Sequence, residues 1–101
     1  MQVASLDSFD DLLKHLSTIH PAKFARLVHG VERIGLDGAH MFVDQADALR
    51  FVAFVDRAYE AQISIRSTGL PLTDLFASDM VAGGYRKKYL RAISRLHALA
   101  E

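Results

Sequence analysis

The chain has 101 residues, half of them hydrophobic, with 12 Lys and Arg against 12 Asp and Glu and no cysteine. That length allows one small domain, residues 1–101, and the apolar content at zero net charge excludes a disordered or acidic tail. The lack of cysteine excludes a disulfide framework, a thiolate nucleophile and any sulfur-ligated zinc.

In chain order, residues 3–6 form a short apolar stretch suited to an edge strand. Asp7 or Ser8 then offers an N-cap, with Asp10 and Asp11 in the first turn, where a helix N-terminus favours negative charge. Phe9, Leu12, Leu13 and Leu16 recur at helical spacing and predict a helix ending near Ile19. His20-Pro21 breaks it, and Pro21 suits the first position of a second helix over 21–29 that stops at Gly30. A short strand follows around 31–36, its end loosened by Gly35, Asp37 and Gly38. Asp44 caps a long helix over 45–61, closed by the polar Gln62. Ile63-Ser64-Ile65-Arg66-Ser67 alternates apolar and polar as a half-buried strand does. Gly69 and Pro71 turn the chain, 72–76 forms one helical turn, and Gly83-Gly84 precede a final helix over 85–100. Strands separated by helices predict an α/β fold, a small parallel sheet of about three strands with right-handed crossover helices.

The long helix is unusual. Positions 51–55 are all apolar and point in every direction around its axis, so it should be buried all round. Three short strands do not obviously cover it. Self-association or burial inside something larger is the expectation.

Charge is distributed unevenly. Residues 82–101 carry Arg86, Lys87, Lys88, Arg91 and Arg95 against Glu101, a net +4, and residues 1–81 carry −4. The two ends can fold against each other, or the basic end can face an anion. On a helical wheel Tyr85, Tyr89, Ala92, Ile93, Leu96 and Ala100 share one arc of the last helix. Lys87, Lys88, Arg91 and Arg95 share another. Arg91 and Arg95, four residues apart, are placed to grip one anion together. The alternative is a solvated basic face. Neutral overall charge and the lack of aromatic residues on that face argue against nucleic acid.

Other chemistry finds little support. The five histidines show neither an H-E-x-x-H motif nor another metal-binding spacing, so no metal site is expected. There is no G-x-S-x-G elbow. The G-x-x-x-x-G-K-[ST] spacing of a phosphate-binding loop is missing, so these residues alone should not bind and hydrolyse a nucleotide. No apolar run approaches the ~20 residues that span a bilayer, and residues 1–5 lack the features of a signal peptide. A soluble, cytoplasmic domain is expected.

Three segments carry a family resemblance. Residues 44–60, DQADALRFVAFVDRAYE, resemble the arginine-phenylalanine and aspartate-x-x-tyrosine helix near the end of ZapE-type cell-division ATPases, of the AFG-like branch of AAA-type P-loop ATPases. Residues 63–76 continue the match. So does the terminus, where Arg91-Ala92-Ile93-Ser94-Arg95-Leu96 resembles the family's Arg-x-x-Ser-Arg-Leu signature. The likeness is strong over 44–97 and weak over 1–43.

The resemblance implies the C-terminal part of a P-loop ATPase fold, with ATP and Mg used by the complete protein and none by this chain alone. It matches Arg50, Arg91 and Arg95 to the family's late arginines, with Arg91 and Arg95 as candidate phosphate sensors. The implied partner is the P-loop-bearing part of an ATPase, and a larger sheet would then cover the second face of the 45–61 helix. The competing expectation is a non-enzymatic interaction module that uses that apolar helix.

Overall fold

A computed structural model of the chain describes residues 4–100, with Val3 of the first predicted strand and Glu101 outside the described residues. Strand β1 (Ala4–Ser8) leads directly into helix α1 (Phe9–Ser17). Ser8 is the N-cap, its side chain accepting from the Asp11 amide at 3.0 Å. A 3-10 turn (Pro21–Lys23) and one helical turn, α2 (Phe24–Leu27), replace the longer helix predicted over 21–29. His20 caps that turn through Nδ1, which accepts from the Ala22 amide.

Strand β2 (Arg33–Ala39) is followed by α3 (Gln45–Glu60) and β3 (Ser64–Gly69). A 3-10 turn (Leu72–Asp74), the short α4 (Ser78–Val81) and α5 (Arg86–Leu99) complete the chain. Helix α4 has no counterpart among the elements expected from the sequence.

The sheet is fully parallel, in the order β1-β2-β3, with Ile34 beside Ile65 and Ser5 beside Ile34. Gly35 and Gly38 do not end β2. It continues to Ala39 through a register shift against β3. Gly38 takes φ +75°, and Thr68 ties the irregularity together: its hydroxyl accepts from the Gly38 amide and donates to the Asp37 carboxylate. Gly69 takes φ +91°, and a Cβ there would overlap the backbone of Ala39. Backbone packing therefore admits glycine alone at this corner.

Helix α3 ends by a Schellman motif. The Ile63 amide donates to Ala58 and the Gln62 amide to Tyr59, with Gln62 itself at φ +54°. The helix stops because the backbone turns left-handed and Ile63 and Ala58 bury together, rather than because Gln62 is polar.

Helix α1 packs on β2 and on α3, α2 packs on α3, and α5 packs on the other side of α3 and on β3. Both crossovers thus lie over one face of the sheet. Flanked in this way, α3 buries Ala48, Phe51, Val52, Phe54, Val55 and Ala58. Phe51 and Phe54 are 0% and 2% exposed. The expectation that this helix needs self-association or a larger body around it is corrected: α1, α2 and α5 are its cover. The same burial withdraws the apolar helix as the surface of an interaction module.

Among the described residues no helix lies over the other face of the sheet. Arg33, Asp37, Arg66 and Thr68 project there and are exposed, while Ile34, Leu36 and Ile65 are sealed beneath the helices. Parallel sheets are usually covered on both faces.

An aromatic network unites the core, with Phe9, Phe42 and Phe51 in mutual contact, Phe42 against Phe76, and Phe76 against Tyr89 at 5.0 Å. Beyond α5 the chain returns to the sheet, where Ala100 forms a parallel bridge with Ile65 on the outer edge of β3.

Candidate functional site

Helix α5 turns Tyr89, Ala92, Leu96 and Leu99 into the core. Tyr85 and Ala100, expected on the same arc, are exposed; they are the N-cap and C-cap of the helix rather than residues within it. The apolar arc sets the direction of the basic one. Arg91 and Arg95, one turn apart, are carried to the seam between α5 and α3, and the two side chains converge on Asp56.

Arg91 Nη2 donates to Asp56 Oδ2 at 3.2 Å, and Arg95 Nη1 donates to Oδ1 at 2.5 Å. The arginines grip one anion together, as their spacing allows, and that anion is a carboxylate of the same chain. Asp56 is largely withdrawn from water at 16% side-chain exposure, Arg95 is 28% exposed and Arg91 49%. The Arg95 guanidinium also lies 4.8 Å from the centre of the Tyr59 ring, in cation–π contact.

Asp56 and Tyr59 stand three residues apart and so share one face of α3. The aspartate-x-x-tyrosine motif of α3 and the Arg-x-x-Ser-Arg motif of α5 are therefore two halves of one cluster. Sequence reasoning missed Asp56 as a member. The signal was the Asp-to-Tyr spacing, which names one helix face but not the partner that faces it.

Arg50 is elsewhere, paired with Asp47 on its own helix at 3.1 Å. The structure does not bring it to the other two arginines. Nor does the Gly83-Gly84 terminus join them: Arg86, Lys87 and Lys88 are exposed there, with Lys88 Nζ 5.6 Å from the Tyr85 ring.

A second polar contact links α1 to the loop after β2. His40 Nε2 and Asp10 Oδ1 are 2.5 Å apart, and His40 Nδ1 is 2.8 Å from the Met41 carbonyl. Both ring nitrogens face acceptors, which suits the doubly protonated imidazolium. The hydrogen bond to Asp10, then that to Met41, raises the His40 pKa above 6.5.

Among the described residues no three His, Asp or Glu side chains are grouped to hold a metal ion, and no helix is long and apolar enough to cross a membrane.

The AFG1-like ATPase family model matches residues 1–101, including the weakly marked first 43. Searches of curated proteins and of solved structures returned no match. The chain belongs to the AFG1-like ATPase family.

Proposed function

We propose that this chain is the C-terminal part of an ATPase of the ZapE type, a cytoplasmic protein acting in cell division. The complete protein binds and hydrolyses ATP with Mg, and Arg91 and Arg95 contact a nucleotide phosphate. The observation that carries the reading is the family match along all 101 residues. Two structural features support it. Among the described residues the sheet has one face without helices, as a piece of a larger layered fold would. Two guanidinia also meet on a single carboxylate with one net positive charge left over.

The residues fit part of what ATP and Mg require. A pair of planar guanidinium forks suits the several oxygens of a phosphoryl group. The phosphate-binding loop has no counterpart in the 101 residues, and among the described residues no three His, Asp or Glu side chains are grouped to hold a metal ion. The P-loop-bearing part must supply both. In that setting Arg91 and Arg95 neutralise charge that develops on the transferring phosphoryl group, a role worth about 10³–10⁵ in rate where an arginine finger performs it.

The test is the ATPase rate of a P-loop-bearing partner with and without this chain. Stimulation is expected, and Arg95→Ala should abolish it while circular dichroism shows the fold retained. No stimulation by the unaltered chain would overturn the reading.

A further inference from the structure

The Asp56 cluster has the composition of an occupied anion site. Each arginine takes a different oxygen of the same carboxylate, so the two guanidinia are already spaced for two oxygens of one anion. The carboxylate comes from α3 and both cations from α5, so the pairing depends on how the two helices pack rather than on local chain geometry. Two guanidinia against one carboxylate leave an excess positive charge. Arg91 is half-exposed, which gives a ligand a path to the pair.

We propose that Asp56 is an internal latch on Arg91 and Arg95, and that a phosphoryl-bearing ligand competes with its carboxylate for the same two guanidinia. In the latched state Asp56 and the Tyr59 ring hold Arg95 against α3, and the arginine pair is kept from other anions. A di- or triphosphate brings more charge and more acceptor oxygens than a carboxylate does, so it can displace one or both arginines from Asp56. Asp56 is a positioning residue, acting on phosphate only through the arginines it restrains. The proposal deepens the phosphate-sensing role suggested above and rests on that reading for its biological meaning. The competition itself is a property of this chain.

The experiment uses the 101-residue chain and inorganic pyrophosphate, followed through the Nε–H signals of the arginine side chains by NMR. Asp56→Asn keeps the shape of the side chain and removes its charge, leaving two like charges that an added anion relieves. Asp56→Asn should bind pyrophosphate at least tenfold more tightly than the unaltered chain, and adding Arg91→Ala to it should remove the gain. Equal affinity in a folded Asp56→Asn chain would overturn the proposal.

Should Asp56→Asn fail to fold, the unaltered chain carries the test. Pyrophosphate must then shift the Arg91 and Arg95 signals together and leave that of Arg50 in place. Signals of the pair that do not move at the highest soluble pyrophosphate concentration would overturn it. A latch that responds to pyrophosphate in a chain that gives no ATPase stimulation would leave this proposal standing and remove the catalytic one.

Discussion

Tyr89 is fully buried against Phe76, and its hydroxyl has no hydrogen-bond partner among the described residues. Burial, with the nearby Tyr85 hydroxyl, raises its pKa and keeps it neutral. An unpaired buried hydroxyl opposes folding. Tyr89→Phe should thus leave stability unchanged or raise it by about 1 kcal/mol in urea denaturation, whereas Tyr89→Ala should lose about 3–5 kcal/mol. Gln62 bears a different strain, a non-glycine residue in a left-handed conformation at the end of α3. Gln62→Gly should raise stability by about 0.5–1 kcal/mol, read as a higher melting temperature. His40 gives a pH dependence. Its pKa is raised in the fold, so its contribution is complete below pH 6.5 and is lost as pH rises through the folded value. The melting-temperature gap between the parent and His40→Ala should narrow from acid to mildly alkaline pH. The pair with Asp10 is exposed, so the gap should be small throughout.

At the scale of elements, the seam between α3 and α5 combines an apolar and an ionic layer. Leu96 is fully buried in it, and Leu96→Ala should cost about 2–4 kcal/mol, while the exposed Lys88→Ala should barely move the melting temperature. A larger loss from Lys88→Ala than from Leu96→Ala would mean that the faces of α5 are misassigned. Much of this seam was legible in the sequence. Tyr89, Ala92 and Leu96 on α5 fall where helical spacing puts a buried face, and Phe51, Val52, Phe54 and Val55 of the apolar run in α3 are buried as its all-round pattern demands. The short α2 was not legible, because Phe24, Leu27 and Val28 satisfy a helical pattern that the chain keeps for only one turn after its 3-10 start. Likewise β2 runs on through Gly35 and Gly38, since its hydrogen bonds to β1 and β3 on both sides outweigh the weak strand preference of glycine.

For the whole molecule, the decisive feature is where cover is lacking. The helices complete one another around α3, so the core of the described residues is sealed, and the sheet face that carries no helix among them is the polar one. Any larger body that this chain joins should therefore meet β2 and β3 on the side of Arg33, Asp37 and Arg66. Hydrogen exchange is expected to slow in β2 and β3 when a P-loop-bearing partner is added, with α3 unchanged. Added protection confined to α3 would contradict the packing described here.

Taken by itself, the order of apolar, polar and breaking residues determined the α/β class, the three strands and the two long helices, and it placed Arg91 and Arg95 one turn apart on one helix face. These follow from local periodicity and from residue spacing along a single helix. Only the tertiary structure decided that α3 is sealed by its own neighbours, that Arg50 stands apart, and that Arg91 and Arg95 meet on Asp56. Those outcomes depend on which helix faces pack together at sequence separations of 35 and 39, and no local pattern encodes that choice.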